Sequence, residues 1–169
     1  MELSELQAGL QAEVLALGDA LRRRGWHLAT AESCTGGLIA AACTSVAGSS
    51  DWFERGFVSY SNLAKTQMLG VDAALIAAHG AVSEAVARAM AEGAAERAGV
   101  ELALAVTGVA GPGGATPGKP VGTVWLALAV RGPGGVRAQA QRLQLPGNRA
   151  AVREHTLRAA LRQLLAAAG

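Results

Sequence analysis

Leu102-Ala103-Leu104-Ala105-Val106 is an unbroken apolar run, with no polar residue on either of its alternating sides. A strand of that kind is buried on both faces, so it belongs in a sheet with helices packed above and below. Its neighbours carry the helical pattern this demands. Leu6, Leu10, Val14, Leu17 and Leu21 recur at helical spacing, with a Ser4–Gln7 capping box ahead of them and Gly25 behind. Ser83 caps a second long helix that Gly99 ends, and Pro146-Gly147-Asn148 opens a last one to about Ala167. Helices alternating with apolar strands give an α/β class: a three-layer α/β/α sandwich.

The remaining elements fill in around that frame. Trp26–Thr30 reads as a short buried strand that enters a helix over Thr35–Thr44 through Glu32-Ser33-Cys34. Gly56–Tyr60 is a second strand, and Ser61-Asn62 caps a short helix through Lys65 and Met68. Val121–Val130 and Val136–Leu145 flank the turn Gly132-Pro133-Gly134-Gly135 and form a hairpin, so the sheet is expected to be mixed but mostly parallel. A chain of 169 residues with no internal repeat or linker is expected to form one domain, residues 1–169.

Composition excludes several classes. Half the residues are apolar and 17% are charged, which rules out general disorder. No apolar run reaches the ~18 residues of a membrane span, and Met1–Glu5 lacks the basic flank and apolar core of a signal peptide. The expected location is the cytoplasm, with no membrane partner. Cys34 and Cys43 lie nine apart in what reads as one helix, which makes a bridge between them implausible. A net charge of +2 gives no case for nucleic acid. Arg22, Arg23 and Arg24 sit at a helix end, where cations offset the dipole.

The chemistry concentrates in Thr30-Ala31-Glu32-Ser33-Cys34-Thr35-Gly36-Gly37, a strand-to-helix junction. Ligands bind beyond the carboxyl ends of strands in such sheets, and a helix start offers free N–H groups to an anion. Ser33 could attack a carbonyl there while those groups hold the oxyanion, and Gly36 and Gly37 would allow close approach. Helix capping by Ser33 or Thr35 explains the same residues without any chemistry. The junction lacks the flanking glycines of a nucleophile elbow, and no Ser-x-x-Lys sequence occurs. Cys34 is a rival nucleophile. His27, His79 and His155 are scattered, with neither catalytic nor metal-ligand spacing, so no metal and no cofactor are expected.

A serine without histidine needs another base. Lysine can serve when burial lowers its pKa, and the chain has only Lys65 and Lys119. Lys65 follows a strand that should lie beside the first, although an exposed helix lysine is the ordinary alternative. Thr107-Gly108-Val109-Ala110-Gly111-Pro112-Gly113-Gly114 follows the apolar strand and could present N–H groups to phosphate, or form a plain long turn. Arg149 falls in the first turn of the last helix, where a cation suits the dipole poorly and an anionic ligand well.

Taken together, these segments resemble the CinA C-terminal domain family. The resemblance runs through the junction at 30–37, Gly48–Gly56, Tyr60-Ser61-Asn62-Leu63-Ala64-Lys65, Gly80–Ser83, the loop at 107–114 and Pro120–Val124, in order over residues 8–165. It implies a nicotinamide-nucleotide amidase that converts nicotinamide mononucleotide (NMN) to nicotinic acid mononucleotide and ammonia, in pyridine nucleotide salvage. It also implies Ser33 as nucleophile, Lys65 as base, and Tyr60 and Thr107 as residues orienting the pair or the substrate. Arg149 would hold the phosphate. Substrate contacts would come from Cys34, Thr35, Gly36, Gly37, Thr107, Gly108, Gly111, Pro112, Gly113 and Arg149. The family usually assembles, so a homo-oligomer is expected. Many members carry a large N-terminal domain that this chain is not expected to contain. Two other functions stay open: a nucleotide-binding or regulatory module without turnover, and an amidohydrolase for another small amide.

Overall fold

A computed structural model describes residues 3–169, with side chains from Leu10 onward. In chain order the elements are α1 (Leu3–Arg24), β1 (Leu28–Glu32), α2 (Leu38–Cys43), β2 (Phe53–Val58), α3 (Asn62–Leu69), α4 (Ala73–His79), α5 (Glu84–Ala98), β3 (Leu102–Gly108), β4 (Thr123–Gly132), β5 (Gly135–Gln144) and α6 (Arg149–Ala168). The Ser4–Gln7 capping box lies outside the described side chains.

The five strands form one sheet in the order β2-β1-β3-β4-β5. β1 pairs in parallel with β2 and β3, whereas β3–β4 and β4–β5 are antiparallel. The sheet is therefore mixed, but half parallel rather than mostly so. The cause is the connection from β3 to β4, which has no helix in it. A parallel neighbour needs a crossover, usually helical, and a glycine-rich loop cannot supply one.

Side-chain size along the strands decides which helices pack on which face. In β3, Leu102, Leu104 and Val106 face the layer of α1, α2 and α6, together with Leu28, Val124 and Leu126. Ala103 and Ala105 face the other layer with Ala29, Ala31, Ala127 and Ala129. That small-residue face receives α5 through its own Val86, Ala87, Met90, Ala91, Ala94 and Ala95. Alanine against alanine lets the helix lie close to the sheet, so a leucine at Ala105 would overpack by about 1–3 kcal/mol. Gly93 extends the same logic to α3: a Cβ there would stand 2.0 Å from the Leu69 carbonyl oxygen. On the opposite layer, Arg24 donates to the carbonyls of Ala168 (2.7 Å) and Gly169 (2.9 Å), so α1 and α6 finish at the same edge.

The caps expected at Ser61 and Ser83 form, each accepting from a backbone N–H three residues on, and Asn148 caps α6 in the same way. α4, capped by Asp72, has no counterpart in the sequence reading.

Candidate active site

α2 joins β1 to β2 across one face of the sheet, and α3, α4 and α5 join β2 to β3 across the other. The chain thus leaves adjacent parallel strands in opposite directions, and a crevice opens at their carboxyl ends. The strand ladder continues into it. Ser33 N–H donates to the Val106 carbonyl at 3.1 Å, and Ser59 N–H to that of Glu32 at 2.9 Å. Both residues that follow the strands are fixed by backbone bonds before their side chains do anything. The resulting cleft, about 260 Å³, is lined by Ser33, Cys34, Tyr60, Asn62, Lys65, Ala81, Val82, Arg149 and, from β3 and its loop, Thr107–Gly111 with Gly113 and Gly114. A larger groove of about 400 Å³ between β4, β5 and the end of α6 presents only aliphatic residues, glutamines and Arg137, with no nucleophile.

Lys65 is one of the largest fully buried side chains, 1% exposed. Helical side chains lean toward the helix N-terminus, and here that direction leads back under the residues after β2. Its Nζ lies 3.0 Å from Ser33 Oγ, 3.1 Å from the Ser59 carbonyl oxygen and 3.0 Å from that of Tyr60. Burial pushes its pKa below the ordinary 10.5, while the nearby Cys34 thiol, a smaller influence, acts the other way when ionised. The two carbonyls can accept but never donate. In the neutral amine they can take both N–H bonds and leave the lone pair for Ser33 Oγ, whose hydroxyl otherwise donates to the Tyr60 carbonyl at 3.4 Å. A buried lysine arranged this way can, when neutral, accept a proton from that hydroxyl.

Cys34 is a poor rival. Its thiol is buried and its pKa is raised to about 11, chiefly by desolvation, so almost no thiolate exists at neutral pH. Cys43 is pushed to about 12 for the same reason. Both cysteines are free, and only Cys43 is in a helix, since Cys34 lies in the turn before α2.

The junction itself differs from the sequence reading. Residues 33–37 form a turn and α2 starts at Leu38, because Gly36 (φ 58°) and Gly37 (φ 105°) are left-handed and cannot belong to a right-handed helix. The helix start is not free for a substrate either. The Glu32 carboxylate accepts from Ile39 N–H at 2.9 Å and Ala40 N–H at 3.0 Å, and also from Thr35 Oγ1 at 2.6 Å. Thr35 is consequently buried against Glu32, and Thr35, Gly36 and Gly37 do not line the cleft. From α6, Arg153 donates to the carbonyls of Cys34 (3.2 Å) and Thr35 (3.1 Å).

Tyr60 contributes in an unexpected way. Its backbone carbonyl, not its hydroxyl, receives Lys65. The ring is 57% exposed, and its hydroxyl accepts from Arg149 at 3.2 Å. Arg149 also donates to the Gly111 carbonyl at 2.9 Å, which ties α6 to the glycine-rich loop at the cleft mouth. Pro112, joined to Gly111 by a cis peptide bond, lies in an adjoining depression rather than in the cleft. Thr107 is buried and donates to the Ala81 carbonyl at 3.0 Å, holding the segment between α4 and α5 against the end of β3. Asn62, Ala81 and Val82 are cleft residues the sequence reading did not select, although each falls in a segment it singled out. No described histidine lines the cleft, and Lys119 is outside it, bonded to the His79 carbonyl.

The model of the CinA C-terminal domain matches residues 11–168. The chain belongs to the CinA C-terminal domain family. Nicotinamide-nucleotide amidohydrolase PncC of Pseudomonas putida is 53% identical to it over 149 residues, 88% of this chain and 91% of that protein. A putative competence-damage inducible protein of Symbiobacterium thermophilum is 54% identical over 159 residues, 89% of this chain but 37% of that protein. The chain spans about a third of the length of such longer CinA relatives. Among solved structures, a CinA superfamily protein from Klebsiella pneumoniae superposes with a TM-score of 0.85 at 38% identity, covering 99% of this chain and 98% of that one. A competence/damage inducible protein from Agrobacterium tumefaciens gives 0.83 at 42% identity, covering 98% and 95%.

Proposed function

We propose that this CinA domain hydrolyses the carboxamide of NMN to nicotinic acid mononucleotide and ammonia, a salvage step in pyridine nucleotide metabolism. The single observation that carries the mechanism is the buried Lys65 amine at 3.0 Å from Ser33 Oγ. A module that only bound nucleotides would have no use for a desolvated amine against a serine. The likeness to an amidohydrolase of almost the same length, over nearly all of both chains, supports the choice of substrate.

The proposed reaction has two halves. Ser33 Oγ attacks the carboxamide carbon as its proton passes to the neutral Lys65 Nζ. The tetrahedral intermediate collapses with cleavage of the C–N bond, and the Lys65 ammonium returns the proton to the leaving nitrogen, releasing ammonia. Water then attacks the Ser33 ester, giving its proton to Lys65, and Ser33 recovers a proton as the acid leaves. The developing oxyanion needs N–H donors. Those of Ala110, Gly111, Gly113 and Gly114 form no hydrogen bond to any described group, and the loop that carries them borders the cleft. Arg149, reaching across the mouth, is the cation for the 5′-phosphate.

Purified protein should release ammonia from NMN, and far faster than from nicotinamide riboside, which lacks the phosphate. Equal rates on the two would remove phosphate recognition from the account. No release from either would remove NMN as the substrate.

A further inference from the structure

We propose that Glu32 and Arg153 are positioning residues for the reaction at Ser33, acting as the two jaws of a clamp on the turn that carries it. This rests on Ser33 being the nucleophile of the proposed amidase. Glu32 is the last residue of β1 and is 1% exposed, a carboxylate placed inside the protein. Burying such a group is costly unless it is fully hydrogen-bonded. Its three donors all lie after the nucleophile: Thr35 Oγ1, Ile39 N–H and Ala40 N–H. Those bonds lock the end of β1 to the first turn of α2, leaving residues 33–37 a fixed gap to span. Gly37, at the N-cap position, supplies no side-chain cap of its own, so Glu32 does that work from within the strand.

Arg153 holds the other side of the same turn. Its guanidinium takes the carbonyls of Cys34 and Thr35 from α6, backbone oxygens that the Glu32 bonds do not involve. Two glycines in left-handed conformation would make an unsupported turn mobile. With one jaw at the N–H and hydroxyl groups and the other at the carbonyls, Ser33 Oγ is held against Lys65 Nζ. Neither jaw lines the cleft, so neither touches substrate. Their contribution is to geometry alone, and a displacement of about 1 Å at a reacting atom can cost on the order of a hundredfold in rate.

The test uses two readouts on the full chain: ammonia release from NMN, and acylation of Ser33 by a fluorophosphonate probe followed by intact mass. In Glu32→Gln one acceptor becomes an NH₂ group facing an N–H donor. We expect kcat to fall by at least about tenfold with KM for NMN within about threefold, and probe labelling to slow in parallel. Arg153→Met should do the same and Arg153→Lys should recover part of the loss. Thr35→Val, which removes one donor of the set at constant shape, is the reserve should Glu32→Gln not fold. A purely structural role would lower the melting temperature and leave kcat per folded molecule unchanged, and that result overturns the proposal. Wild-type protein that labels at Ser33 without releasing ammonia overturns the NMN reading, while the labelling rates still decide the clamp. A wild type that neither labels nor releases ammonia overturns both.

Discussion

Replacing Lys65 with methionine keeps the unbranched stem as far as Cε and removes the amine. The structure sets the size of the effect. The lost group sits at 3.0 Å from Ser33 Oγ and is the one basic side chain bonded to it among the described residues, since no described histidine lines the cleft. Loss of a general base costs about 10²–10⁴ in rate, or about 2.7–5.4 kcal/mol of barrier. The buried Ser59 carbonyl also loses its donor, at about 1–3 kcal/mol, while the part-buried Tyr60 carbonyl still accepts from Ser33 Oγ. Removal of a desolvated amine offsets part of that, so the variant should remain folded. Lys65→Arg should be as inactive, because guanidinium does not give up its proton, and less stable by about 1–3 kcal/mol from overpacking. The assay is ammonia release at saturating NMN from about pH 5 to 10. The wild-type rate should rise as Lys65 deprotonates and level off above its lowered pKa. Lys65→Arg retaining more than about a tenth of wild-type kcat would refute the reasoning, as would a Lys65→Met variant with the wild-type pH dependence.

The other predictions follow from the same bonds. Tyr60→Phe should leave kcat within about threefold and raise KM, because only the hydroxyl bond to Arg149 is lost while the carbonyl that orients Lys65 stays; steady-state kinetics on NMN separates the two. Arg149→Ala should narrow the preference for NMN over nicotinamide riboside, chiefly through KM, as measured by competing the two substrates. Stability should carry the signature of Lys65: its folded pKa is depressed, so the unfolded chain holds the proton more tightly. Stability is then lowest below the folded pKa, rises with pH between that value and 10.5, and is flat above. Thermal melts across the alkaline range should show this rise in the wild type and lack it in Lys65→Met.

Much of the architecture was legible because it depends on local rules. The alternation of leucine and alanine in Leu102–Val106 announces a strand covered on both sides, and Ser61 and Ser83 announce helix starts through their own side chains. Lys65 was legible by elimination, as one of two lysines in a chain without a usable histidine. What escaped depends on partners far along the chain. Glu32 looks like any glutamate until α2 folds over it, and only then are Ile39 and Ala40 N–H seen to be taken. The role of Tyr60 escaped for a different reason. Sequence names a side chain, whereas the atom that meets Lys65 belongs to the backbone. The start of α2 was misplaced because the sequence does not reveal that Gly36 and Gly37 both take positive φ.

The central claim is that Ser33, and not its neighbour, is the nucleophile. Ammonia release from NMN by Ser33→Ala and Cys34→Ala, measured side by side with the wild type, tests it most directly. The account predicts that Ser33→Ala loses at least about three orders of magnitude in kcat while still binding NMN, and that Cys34→Ala, whose thiol is held protonated by burial, keeps most of the activity. An inactive Cys34→Ala beside an active Ser33→Ala would contradict it.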